Sequence, residues 1–342
     1  MKFKLFFTLF CFALVFSFIS CEKEVDEREA DELIRLRAYI KVNYPDIDST
    51  ESGIYYIIYD LGDSENGKKP ENDDFVLYDF VGMSLDEYVF ETTKKDIAVL
   101  HNIFLAKTHY VPLFKEYNNA TQPILAGLKE GLSMLYDGGK ARLIIPSRLA
   151  YGSLSNGSLR PFSSVIFDVE LKRVVTDPEA YEQELIDNYL LENYPDLIPD
   201  SIIKDSVYFL VVTPNEIESK GKEDGEDEDP HQPINDSDVV TLNYQGKFFD
   251  DFLFDTNIKS VAVANNIYDS NRTYESIEVT IGGIEYIDGF SKALKNLTTN
   301  TYAKVIIPSY LAYGKNGSNS IPPYAPLIFE LDILGKTTPS SK

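Results

Sequence analysis

The chain has 342 residues, more than a single hydrophobic core usually accommodates, so about two domains are expected. Its 55 acidic residues against 32 basic ones leave a formal charge of -23, which makes nucleic acid and anionic lipid headgroups poor partners. Three scattered histidines, His101, His109 and His231, match no metal-ligand spacing and read as loop or surface residues, so neither a metal nor a cofactor is expected.

At the N-terminus, Lys2 and Lys4 precede an apolar run from Leu5 to Ile19, the charged and hydrophobic regions of a signal peptide. The run is about fifteen residues, short of the roughly twenty that a bilayer-crossing helix needs. It ends in Phe18, Ile19, Ser20 and Cys21, which resembles the lipobox of bacterial lipoproteins. That resemblance implies a signal peptide over 1–20, lipidation of Cys21 and attachment to a membrane through the acyl chains. Cys11 would leave with the signal peptide and Cys21 would be blocked, so no thiol remains for a disulfide, a metal or a nucleophile. The following EKEVDERE, within a tether over 21–30, is similar to the surface-export signals of Bacteroidetes lipoproteins and equally fits a plain charged tether. The expected location is the cell envelope, lipid-anchored at the outer membrane on its periplasmic or surface side, and not the cytoplasm.

Beyond the tether the chain follows one plan twice. Apolar residues at helical spacing mark amphipathic helices over 31–43 (Leu33, Leu36, Ile40) and 182–193 (Ile186, Tyr189, Leu190). Each ends in the word NYPD, where Pro45 and Pro195 bar further helix. Strand-like runs follow, IYYIIY from Ile54 and VYFLVV from Val207, then polar segments that read as loops or linkers. The second of these contains EDGEDED, Glu223 to Asp229, which lacks the residue order of a calcium loop and reads as a solvated acidic loop.

Next come FVLYDFVG from Phe75 and VVTLNYQG from Val239, then YVFETT from Tyr88 and FLFDTN from Phe252, all strand-like. Looser stretches, Lys94 to Thr121 and Ile258 to Ser276, read as sizeable insertions with no clear sequence in common, so the two halves are expected to meet different partners. A second helix is read from Ile124, Leu125, Leu128, Leu132 and Leu135 in one copy and from Ile284, Ile287, Phe290, Leu294 and Leu297 in the other. After it stands the clearest repeat: IIPSRLAYG at 144–152 returns as IIPSYLAYG at 306–314. A Gly/Ser/Asn loop and a closing strand, SVIFDVEL or LIFELDIL, complete each copy. Strands with one short helix make an α+β domain with an antiparallel sheet wrapped on that helix.

The run AKVIIPSYLAYG from Ala303, the segment from Ile321 to Pro326, the LIFELDIL strand, LNYQGKFFDDFLFDTN and GGIEYIDGF together resemble the FKBP-type peptidyl-prolyl isomerases. The resemblance covers about 239–336, with a degenerate copy over about 74–175. It implies two tandem FKBP-like domains, 31–176 and 178–336, each with an N-terminal helix arm, followed by a tail over 337–342. It also implies action on X-Pro bonds, with proline-containing segments of envelope or secreted proteins as partners. The site carried over to the second copy is Tyr313, Asp255 and Tyr244 for catalysis, with Phe254, Tyr286, Ile287, Phe290, Ile321 and Phe329 around the proline. The family's usual floor is Trp, which this chain lacks altogether; Phe290 stands there.

In the first copy the same positions are Phe80, Phe90, Glu91, Ile124, Leu125, Leu128, Tyr151, Leu159 and Phe167. Phe80 lacks the hydroxyl of Tyr244, Glu91 is longer than Asp255 and Leu128 replaces the aromatic floor, so the first pocket is expected to be weak or inactive. The alternative reading is a non-catalytic peptide-binding, chaperone or structural envelope protein on the same fold.

Overall fold

A computed structural model describes residues 27–215, 229–318 and 320–339. The signal-peptide and Cys21 readings, and nearly all of the acidic EDGEDED segment, lie outside the described residues. Among those described, no helix is long and apolar enough to cross a membrane, and no cluster of His, Cys, Asp or Glu could hold a metal ion.

The first half runs α1 (Glu27–Asn43), β1 (Asp48–Ser49), β2 (Tyr55–Asp60), β3 (Phe75–Ser84), β4 (Val89–Thr92), α2 (Lys95–Leu100), β5 (Leu113–Glu116), α3 (Ala126–Ser133), β6 (Lys140–Ile145) and β7 (Val165–Val175). The second runs α4 (Pro178–Asn193), α5 (Pro199–Ile202), β8 (Ile203–Lys204), β9 (Val207–Pro214), β10 (Val239–Lys247), β11 (Leu253–Thr256), α6 (Lys259–Ala264), β12 (Ile277–Thr280), α7 (Asp288–Lys295), β13 (Thr301–Ile307) and β14 (Leu327–Thr337). Each half makes one antiparallel seven-stranded sheet. Their strand orders, β1-β2-β6-β7-β3-β4 and β8-β9-β13-β14-β10-β11, are the same path, with β5 and β12 added beside β3 and β10.

The doubled isoleucines of the repeat report how these sheets are covered. Side chains alternate across a strand, so Ile145 joins the core under α3 while Ile144 joins Leu36 and Ile40 of α1 on the opposite face. In the second half Ile307 faces Phe290 and Leu294 of α7, and Ile306 faces Ile186, Tyr189 and Leu190 of α4. All four isoleucines are fully buried. A strand covered on both faces reads as a continuous apolar run. The arm helices therefore belong to the domain cores and are not appendages.

Three readings are corrected here. Helix α7 begins at Asp288, after the extended Ile287, and Ile284 is 97 % exposed, so its place in the helical spacing is accidental. The Gly282–Gly283 turn, with Gly282 at φ +81°, holds that segment out of the helix. The insertions are related in both sequence and architecture: Lys95, Ala98, Val99, Asn102, Ile103 and Tyr110 recur as Lys259, Ala262, Val263, Asn266, Ile267 and Tyr274. In each, a short helix leads to two stacked aromatic rings, Phe104 with Tyr110 at 5.6 Å and Tyr268 with Tyr274 at 5.3 Å. The hydroxyl of the second ring, Tyr110 or Tyr274, accepts a 2.9 Å bond from the loop backbone, from Leu105 and from Asp269 respectively.

The third correction concerns His109, which is not a plain surface residue. Its ring stacks against both Phe248 and Phe252, with centroids 4.6 and 4.4 Å away, and its Nε2 is 2.7 Å from Asp250 Oδ2. That hydrogen bond holds the Asp250 carboxyl below the usual range. His109 is thus part of a joint between the halves. Phe114 against Tyr181 and Phe75 against Tyr324, at 5.3 and 5.5 Å, complete that joint.

Candidate active site

The second domain carries a cleft of about 510 Å³ between α7, β10, β11, β14 and the turn after β13. Phe290 forms its floor at 4 % exposure, meeting Phe329 edge-on at 4.8 Å and Tyr244 at 5.9 Å. Phe254 stands perpendicular to Phe329 at 5.9 Å. Gly246 permits this packing, because a Cβ there would lie 2.7 Å from the Phe254 ring and 3.0 Å from that of Phe329. Tyr286 and Ile287, in the extended lead-in to α7, line the opposite wall.

The polar wall is a closed network. The Tyr244 hydroxyl donates to Asp255 Oδ2 at 2.5 Å and accepts from Arg272 Nη2 at 3.0 Å, while Arg272 Nη1 pairs with the other carboxylate oxygen. Burial, then the Asp255 charge, pushes the Tyr244 phenol well above its ordinary value, so it stays a donor. Arg272 is held more strongly protonated by Asp255.

The repeated turn presents the remaining donor. Pro308 is extended and cannot donate a backbone hydrogen bond, so β13 ends there and a single 3₁₀ turn, Ser309–Leu311, begins. Gly314 at φ +59°, like Gly152 at +58°, takes the left-handed conformation that a side chain disfavours, which brings the chain back behind Tyr313. Tyr313 is 36 % exposed at the cleft, and its hydroxyl has no hydrogen-bond partner among the described residues. Burial and then Asp255 raise its pKa, so it too stays protonated at neutral pH.

The first domain's cleft is about 330 Å³. It gathers Phe80, Glu91, Ile124, Leu125, Leu128, Tyr151 and Phe167, with Leu128 as the floor. Its tyrosine is occupied: Tyr151 donates to Glu91 Oε2 at 2.9 Å, and Asn156 Nδ2 donates to the same oxygen at 3.0 Å. The longer glutamate reaches across to the hydroxyl, whereas Asp255 points into its own network.

Not all nominated residues converge. Ile321, 7 % exposed, lines a separate cleft between the domains and packs in the core, outside the wall of the Tyr313 cleft. Phe90 stacks edge-on against Tyr151 at 5.8 Å without lining the first cleft, and Leu159 is buried in the core. Residues that sequence reasoning passed over include Arg272, Tyr310 and, in the first cleft, Tyr78 and Asn156. The register of β3 against β7 could have found Tyr78, since it stands where β10 has the core residue Leu242. Arg272 has no fixed spacing from Asp255 that would signal it.

Among similar proteins, peptidyl-prolyl cis-trans isomerase FKBP10 of Mus musculus is 22 % identical over 272 residues, covering 79 % of this chain and 36 % of its own length. The chain thus spans about a third of that relative. The probable FKBP-type peptidyl-prolyl cis-trans isomerase FkpA of Neisseria meningitidis is 28 % identical over 158 residues, 44 % of this chain and 51 % of its own. The crystal structure of FkpA from Escherichia coli is 24 % identical, covers 44 % of this chain and 62 % of its own, and superposes with a TM-score of 0.34. The profile of the FKBP-type peptidyl-prolyl cis-trans isomerases matches residues 66–172 and 231–334, more than half of the chain and part of each sheet, and the chain belongs to that family.

Proposed function

We propose that this protein is a peptidyl-prolyl cis-trans isomerase whose activity resides mainly in the second domain. The observation that carries the proposal is the contrast between the two tyrosines. Tyr313 faces an aromatic-floored cleft with its hydroxyl unengaged among the described residues, while Tyr151 is tied to Glu91.

Rotation about an X-Pro bond must break amide resonance, a barrier of about 18–20 kcal/mol. No covalent step is needed. Phe254, Phe290 and Phe329 offer a proline ring a dry, apolar seat, which favours a twisted amide with less resonance over the planar, well-hydrated ground state. Tyr313 supplies a hydrogen bond to a substrate carbonyl, and the Tyr244–Asp255–Arg272 network keeps the facing wall rigid without presenting an unpaired charge. The first domain, with an engaged tyrosine and a smaller cleft, contributes little to catalysis.

Replacing Tyr313 by Phe should lower kcat/KM about threefold, the scale of one neutral hydrogen bond, with thermal stability unchanged. Tyr151→Phe should leave the rate within experimental error. A proline-limited peptide isomerisation assay on the full chain decides it: equal effects at the two positions would remove the asymmetry.

The clients are proposed to be proline-containing segments of extracytoplasmic proteins, met at the membrane to which Cys21 attaches the chain. The apolar leader ending in Cys21 supports this. Cys21→Ser should move the protein from the membrane to the soluble fraction; retention on membranes would refute the anchor.

A further inference from the structure

Each arm helix buries a carboxylate against the turn that carries its domain's cleft tyrosine. On α4, Glu182 is 6 % exposed and accepts from the Ser309 backbone N–H at 2.5 Å and from the Ser309 hydroxyl at 2.6 Å. On α1, Glu32 is 2 % exposed and accepts from the Ser147 N–H at 3.0 Å and its hydroxyl at 3.3 Å, and also from the Ser164 hydroxyl. These are the serines of the repeated IIPS.

Among the described residues, neither glutamate is within ion-pair distance of a cation. Burial raises the pKa of Glu182, opposed only by the two bonds from Ser309. A buried carboxylate without a counter-charge is costly, and Ile186, Tyr189 and Leu190 already seat α4 on the sheet by apolar contact. Holding the helix down therefore does not require it. The Ser309 N–H, by contrast, lies where the strand has just ended at Pro308 and has no other acceptor among the described residues.

We propose that Glu182 is a positioning residue for the second cleft. It fixes the first residue of the Ser309–Leu311 turn, and through that turn it sets the aim of Tyr313. The turn is short and internally bonded, Leu311 N to Pro308 O at 3.0 Å and Ala312 N to Ser309 O at 2.8 Å, so a displacement at Ser309 passes to Tyr313 with little to absorb it. Tyr310 lines both the Tyr313 cleft and the hollow beside Glu182, so the two ends of the device share a wall. On the same helical turn Tyr181 packs against Phe114 of the first domain, so α4 also touches the joint between the domains. The inference rests on the proposed isomerase activity for its functional consequence and on the Glu182–Ser309 contact for its geometry.

The test compares Glu182→Ala, Glu182→Gln and Glu32→Ala in the full-length protein, reading isomerisation, thermal melting and the backbone amide NMR signals of residues 310–314. The Glu32 variant is the matched control, because it removes the same contact from the domain with the engaged tyrosine. Both alanine variants should melt at lower temperature. Only Glu182→Ala should lower kcat/KM, by about fivefold, and shift the amide signals of Tyr310 to Gly314. Glu182→Gln should restore most of the rate, since its amide oxygen can still accept from the Ser309 N–H. An equal rate loss in Glu32→Ala, or a Glu182→Ala protein with unmoved Tyr313 signals, overturns the proposal. If the unmodified protein shows no isomerisation, the enzymatic reading falls, and the amide signals alone decide the positioning role.

Discussion

Replacing Phe290 by Leu should lower kcat/KM for prolyl isomerisation about tenfold while leaving the second domain folded, because it gives the second cleft the floor of the first. Phe290 is the ring on which Phe329, Tyr244 and Tyr286 converge, with centroids 4.8, 5.9 and 6.0 Å away. A leucine keeps the site apolar but removes the flat face against which a proline ring can lie, and it opens a gap beside Phe329 that admits water. The stability cost should be about 1–2 kcal/mol, from lost edge-to-face contacts and a partly filled cavity. Melting curves and the peptide assay together separate this from unfolding. An unchanged rate would mean that the floor is core packing only. The reciprocal Leu128→Phe should raise whatever activity the first domain has, yet leave it about threefold or more below the second, since Tyr151 remains bonded to Glu91. Floor and donor are separate contributions, and the first domain departs from the second at both.

Much of this arrangement was legible in the chain because it rests on periodic burial. The doubled IIPS-x-LAYG, with isoleucines facing opposite sides of a covered strand, marks the same β-strand and turn in both sheets. The aromatic set around Phe290 comes from the resemblance to the FKBP-type isomerases, because inward-facing positions at strand and helix spacing announce only core packing. What escaped depends on contacts that spacing does not encode. Arg272 reaches Tyr244 and Asp255 from the second insertion, at the position where the first has Thr108, so the repeat itself does not mark it. Ile284 mimicked a helical position because a glycine turn happens to place an isoleucine three residues before Ile287. His109 and Ile321 read as loop and pocket residues respectively, yet both line the cleft where the two domains meet, a surface that neither half's own periodicity can announce.

Removing the carboxylate of Asp255 should have the larger effect, a loss of about thirtyfold in kcat/KM for Asp255→Ala. One alanine strands two partners at once, the Tyr244 hydroxyl and the Arg272 guanidinium. Unmaking hydrogen bonds to a charged group costs about 2 kcal/mol once discounted for the partial exposure of both ions, and that much lost from the organised cleft is about thirtyfold in rate. With Asp255 gone, the guanidinium keeps the Tyr244 hydroxyl and its place over the Tyr274 ring at 5.5 Å, so the 258–276 insertion loses its ionic tie to the wall while Ser276 still bonds Asn243. If the three side chains act as one unit, Arg272→Ala alone should cost about tenfold, and the double variant should fall within about twofold of Asp255→Ala, because the second change removes an interaction already lost. Multiplicative losses would mean instead that Asp255 and Arg272 act separately. In that case the carboxylate's role would lie in a direct field on the twisting amide and not in holding the wall.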